Sequence, residues 1–137
     1  MALDPVRVEN TRAWLTKAAD DLRGAEIDLG ATPPLLGDLA FHCQQAIEKA
    51  FKAYLTWQDE PFRRTHDLYE VGSQCAAIDP TLASFVSRVM PLTEYAWQFR
   101  YPSDEPVPTL AEATEALALA REVVTAVHAR LPEATLP

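Results

Sequence analysis

The stretch Phe41-His-Cys-Gln-Gln-Ala-Ile-Glu-Lys-Ala-Phe-Lys-Ala-Tyr-Leu55 decides the fold class. Traced back to Leu36, its apolar residues recur at Leu36, Leu39/Ala40, Cys43, Ala46/Ile47, Ala50/Phe51 and Tyr54/Leu55, the three-and-four spacing of one helix face. Another face carries Phe41, Gln45, Glu48 and Lys52, with Gln44 and Lys49 beside it. Glu48 and Lys52 are four apart in the order that favours an ion pair, worth about 0.2–0.5 kcal/mol on an exposed helix. The segment from Gln58 to Arg64 breaks the pattern.

Helical spacing continues on both sides. Asp4-Pro5 is an N-cap followed by proline, and Trp14, Ala18, Leu22, Ala25 and Leu29 follow at helical intervals as far as Gly30. Thr32-Pro33-Pro34 makes a turn. A third helix opens near Thr65-His66-Asp67 with the stripe Leu68, Val71, Cys75 and Ile78. A fourth carries Leu82, Phe85/Val86, Val89, Leu92, Ala96 and Phe99. Pro91 removes a backbone donor inside it and predicts a kink or break. The last helix opens on the capping box Thr109-x-x-Glu112 and carries Leu110, Ala113, Leu117, Ala120, Val124, Val127 and Leu131, a heptad seam suited to packing along a neighbour. The pattern predicts an all-α, up-and-down bundle of about five helices, a four-helix core plus an extra helix. It spans residues 1–137 as a single domain with its core from about residue 5 to 131.

Composition agrees. Gly is scarce at 4 of 137 residues, while most of the 11 Pro cluster at the expected joints. The net charge of −8 argues against bulk binding to nucleic acid or anionic membrane. Only the segment 41–66 is net basic, with Lys49, Lys52, Arg63 and Arg64, and His42 and His66 bracket it. Cys43 and Cys75 sit in apolar stripes and read as reduced, buried thiols. The polar first ten residues carry no leader-like apolar run, and no segment has the length of a membrane span, so a cytoplasmic setting is expected.

Few motifs carry chemistry. There is no His-Glu-x-x-His, no Cys-x-x-Cys, and too little glycine for a phosphate loop. Asp38 and His42 are one helical turn apart, but two groups do not make a metal site, so neither metal nor cofactor is expected. Gln45, Lys49 and Lys52 read either as a solvated face or as a groove wall offering an amide and two ammonium groups to a phosphate or nucleobase. Arg63 and His66 lie at a helix start, where anions are favoured. Arg100 and Tyr101, after Trp97, form an aromatic and cationic helix end able to stack a base or meet a partner. Arg121 and His128 lie on one face of the last helix, roughly 10 Å apart along its axis, and read foremost as rim residues.

Four motifs in order resemble the HEPN family, the small helical domains often found beside minimal nucleotidyltransferases. They are Ala18-Ala-Asp-Asp-Leu22-x-x-Ala25, Phe41-x-x-Gln44-Gln45-Ala46-x-Glu48-Lys49-Ala50-x-Lys52-Ala53, Thr65-His66-Asp67-Leu68 and Arg100-Tyr101-Pro102. The resemblance runs from about Trp14 to Leu131. It implies a helical bundle, a homodimer, and a module that binds a nucleotide or partners a nucleotidyltransferase. Gln45, Lys49, Lys52, Arg63, His66, Arg100 and Tyr101 would then bind the ligand. Some members are RNA-cleaving toxins of toxin–antitoxin or defence systems, with Arg, four to six residues, then His. Here Arg100 is followed by Tyr101-Pro102 without a spaced His. Arg121 and His128 are the weak catalytic candidates that remain. The expected order is therefore a nucleotide-binding module first, a non-catalytic interaction partner second and a ribonuclease last, with RNA binding not favoured.

Overall fold

Helix α1, Pro5–Gly30, begins where its cap is written: the Asp4 side chain accepts from the Val6 N–H, and Pro5 opens the first turn. The computed structural model describes residues 2–99, 101–102 and 106–137. Helix α2, Leu36–Trp57, follows a short connection and packs along α1. Helices α3, Leu68–Ile78, and α4, Ala83–Val89, are shorter, and α5, Leu110–His128, completes the bundle. Among the described residues there is no strand. No helix there is long and apolar enough to cross a membrane.

α2 is the axis of the molecule, packing against α1, α3 and α5. That central position buries it nearly all round, and Ala40, Ala46, Ala50 and Ala53 have no exposed surface at all. Small residues let neighbouring backbones come close, while Leu39, Ile47, Phe51 and Leu55 fill the space between. From α5, Ala113, Leu117, Ala120, Val124 and Val127 are buried as the seam predicts. Leu110 is half exposed instead, because it stands at the first helical position, ahead of the packed stretch. The capping box forms as written: Glu112 N–H donates to Thr109 Oγ1, and Thr109 N–H donates to the Glu112 carboxylate.

Pro91 has the effect expected of it. α4 stops at Val89, and the chain continues as a 3₁₀ segment, Met90–Ala96, in whose first turn Pro91 falls, where a missing N–H breaks no helical bond. Cys43 and Cys75 are free and fully buried, and burial pushes the Cys43 thiol up to about 12. Beyond Pro132 the chain keeps packing. A 3₁₀ turn, Glu133–Thr135, returns to α1, where the Arg12 guanidinium donates to the Ala134 carbonyl and Thr135 is buried.

The inward face of α1 departs from the simple stripe. Thr11, Leu15, Ala18 and Ala25 are fully buried, while Trp14 is only half-buried and meets Phe62 edge-on. The same face carries two carboxylates, Asp21 and Asp28, both buried.

Candidate functional site

The polar residues of α2 turn inward. Gln44, Glu48 and Lys52 are 0%, 3% and 6% exposed, so this is neither a solvated face nor an open groove wall. What they meet is the loop ahead of α3. Gln44 Nε2 donates to the His66 carbonyl at 3.0 Å, and Lys52 Nζ donates to the Thr65 carbonyl at 3.0 Å. Glu48 sits between them. Its Oε2 accepts from Lys52 at 3.0 Å, and its Oε1 accepts from Gln44 at 3.2 Å. His66 Nδ1 lies 2.7 Å from Oε1, and since an ionised carboxylate only accepts, Nδ1 carries the hydrogen. Gln45 donates to Gln44 Oε1 at 2.7 Å and closes the ladder. The aromatic rings of Trp14 and Phe62 each lie 5.6 Å from Lys52 Nζ.

This ladder ties two consecutive backbone carbonyls of the loop to the central helix and so sets where α3 begins. Asp67 then caps α3, accepting from the Tyr69 and Glu70 N–H groups. The Leu68 N–H donates to Thr93 Oγ1 at 3.1 Å, joining the start of α3 to the 3₁₀ segment after α4. Between those two elements lies an open groove of about 940 Å³. Arg64, His66, Asp67 and Tyr69 form one wall, and Met90, Pro91, Glu94 and Trp97 the other. Glu48 holds only one edge of His66, whose side chain is 58% exposed. Tyr69 and Trp97 are each about half exposed. Arg64 is exposed and makes no ion pair among the described residues.

The expected binding residues thus separate. His66 lines the groove. Gln45 and Lys52 are consumed by the ladder, since burial requires each to find an internal partner, and the half-buried Lys49 donates to Asp21 Oδ2 at 2.6 Å. Arg63 makes two hydrogen bonds to Glu70, at 2.6 and 3.0 Å, and that contact holds the Glu70 carboxyl below its ordinary range. Tyr101 is 71% exposed, and Arg100 lies outside the described residues. Arg121 pairs with Glu26 at 3.2 Å on the surface, whereas His128 Nε2 is buried without a hydrogen-bond partner. Arg121 is exposed, and His128 is half-buried with its Nε2 turned inward.

Two features were not foreseen. Arg64 and Trp97 stand in segments read separately from the sequence, but their meeting with Tyr69 in one groove was not read. A second polar cluster joins α1 to the start of α2, where Asp21, Asp28, Asp38 and His42 converge. There, burial and the neighbouring Asp38 push the Asp28 carboxyl up to about 6.

The ladder on α2 and its junction with Thr65-His66-Asp67 fall within the span of a family model. The HEPN domain model matches residues 11–130. The chain belongs to the HEPN domain family. Its fold is similar to that in the crystal structure of TT1696 from Thermus thermophilus, with a TM-score of 0.78 and 26% identity over 90% of this chain and 99% of that one. No curated protein matches. In this HEPN domain the polar string Gln44, Gln45, Glu48 and Lys52 on α2 serves the interior. It is the ladder that fixes the Thr65-His66-Asp67 turn.

Proposed function

We propose that this HEPN domain binds a nucleotide in the groove between the start of α3 and the Met90–Ala96 segment. The observation that carries the reading is the composition of that groove. Exposed aromatic faces, Trp97 and Tyr69, share it with Arg64 and His66. An aromatic face suits a base, and an unpaired guanidinium suits a phosphate. The Glu48 contact to His66 Nδ1 fixes the imidazole in place, leaving its exposed part for the ligand. Tyr101, 71% exposed, offers a further aromatic face after the 3₁₀ segment. Presentation of the nucleotide to a nucleotidyltransferase partner, by a homodimer, is the form of function that the family resemblance suggests.

Calorimetry with a panel of mono-, di- and triphosphates tests the proposal, alone and with any co-purifying partner. Saturable binding should weaken about tenfold in Arg64→Ala and in Trp97→Ala, the loss expected for one contact of about 1.4 kcal/mol. No binding by the wild type at millimolar nucleotide would sink it.

A second reading, docking of another chain on the same face, is favoured by Tyr69, Met90 and Trp97, each about half exposed in one groove. A monomer in solution that captures no partner removes it. The ribonuclease reading has less support, since a general acid–base group must reach its substrate and His128 Nε2 is buried. Growth arrest on expression, relieved by His128→Ala or His66→Ala, would restore it.

A further inference from the structure

The cluster between α1 and α2 has the arrangement of a metal site. Asp21 and Asp28 are seven apart on α1 and face Asp38 and His42, which are four apart on α2. His42 Nδ1 lies 2.8 Å from Asp21 Oδ1. The ionised carboxylate accepts, so Nδ1 carries the hydrogen and Nε2 is the nitrogen left open. Asp21 is itself held by Lys49 Nζ at 2.6 Å through its other oxygen. The imidazole is therefore oriented from behind by a charged pair, as a ligating histidine is oriented by an outer carboxylate.

On its open side Nε2 lies 3.5 Å from Asp38 Oδ2 and 4.0 Å from Asp28 Oδ2. Both distances exceed a normal N–H···O bond, so the ring is not simply donating to either carboxylate. The three potential ligand atoms all fall within 4.8 Å of one another. The independent observation is Asp28. Its side chain is only 9% exposed, and Oδ2, the atom that faces His42, is buried without a hydrogen-bond partner. An uncompensated carboxylate oxygen in the interior is costly, and a second carboxylate beside it makes it more so. Gly24 adds to the design: a Cβ there would stand 3.0 Å from His42 Nε2, so the absence of a side chain is what admits the ring.

We propose that Asp28, Asp38 and His42 bind a first-row divalent cation of the Zn²⁺ or Mn²⁺ class, with Asp21 as the positioning residue for His42 and water completing the coordination. The charges fit. Lys49 offsets Asp21, and the remaining two carboxylates match a doubly charged ion. The ligand types fit as well, since two carboxylate oxygens and one imidazole nitrogen suit these ions better than a soft thiolate-seeking metal. Metal–ligand bonds of about 2.0–2.2 Å place tetrahedral ligands roughly 3.3 Å apart, so the 3.5 Å edge fits as it stands and the longer ones close by small side-chain shifts. Asp38, at 57% exposure, supplies both the freedom to move and the entry path.

The full chain, stripped with a chelator and dialysed, is titrated calorimetrically with ZnCl₂ and separately with MnCl₂ while its melting temperature is followed. One saturable site per chain and a higher melting temperature with metal are expected. Asp38→Asn and His42→Gln should weaken binding by more than about tenfold, and Asp21→Asn by roughly 10–100-fold with stoichiometry kept. Asp59→Asn, an exposed carboxylate beyond the far end of α2, should leave binding unchanged. Absence of saturable binding by the wild type at about 1 mM metal overturns the proposal. So does binding that Asp38→Asn does not alter, since that exposed side chain can be changed with circular dichroism showing the fold intact.

Discussion

Lys52 Nζ and Glu48 Oε2 stand 3.0 Å apart, one helical turn from each other, with side chains 8% and 4% exposed. At that burial the pair is a commitment of the fold, because removing one member leaves the other charged and shut away from water. Lys52→Met should cost about 3–5 kcal/mol, the usual penalty for breaking a buried pair. The change also frees the Thr65 carbonyl, so the start of α3 should lose amide-exchange protection before the rest of the core. The double variant Glu48→Gln/Lys52→Met should cost less than the sum of its single changes, since neither charge is then stranded. Urea unfolding of the three variants measures this, and strict additivity would show that the two residues act independently.

His128 offers a pH test. Burial lowers its pKa below the ordinary 6.5, so the folded chain binds this proton less readily than the unfolded one. Stability from this residue is therefore fully present above about 6.5 and is lost as pH falls from there through the lowered folded value. Below the folded value the loss is complete. His128→Leu should keep the fold and flatten the dependence between pH 8 and 5. The readout is the difference between wild type and variant in urea midpoint at each pH, which cancels titrations common to both, including that of Asp28. An unchanged slope would mean that His128 is not the residue responsible.

Local signals were legible wherever a residue acts on its own neighbours. Asp4-Pro5 starts α1, Thr109 and Glu112 start α5, and Pro91 ends α4, each by backbone chemistry within a turn or two. The heptad seam of α5 was legible for the same reason, since its spacing alone selects a face. The polar residues of α2 were not. Periodicity identifies a polar face but not its partner, and the partners here are backbone carbonyls, which carry no sequence signature. Asp21 and Asp28 were missed by the same limit. Their spacing on α1 names no partner; His42 and Lys49 approach Asp21 from α2, and His42 also lies beside Asp28. Asp38 and His42 could be paired from sequence, whereas the third group required the packing of two helices. His66 was found for its place at a helix start, but the opposite wall of its groove comes from the Met90–Ala96 segment, far from it in sequence.

Asp59 gives the last prediction, from the stop signal of α2. Its N–H donates to the Thr56 carbonyl at 3.1 Å and the Glu60 N–H to the Leu55 carbonyl at 2.9 Å, the paired bonds of a helix terminus that turns through the left-handed region. Asp59 takes that conformation with φ of 55°, where a side chain is disfavoured and glycine is the usual occupant. Asp59 also lies 3.8 Å from Arg7, but its side chain is 83% exposed, and such a pair contributes little. The backbone term should therefore win. Asp59→Gly is expected to stabilise the chain by up to about 1 kcal/mol, and Asp59→Val, with a branched Cβ in the same conformation, to destabilise it. Thermal melts decide between the two terms. If Asp59→Gly lowers the midpoint and Arg7→Ala lowers it equally, the ion pair and not the backbone governs this terminus.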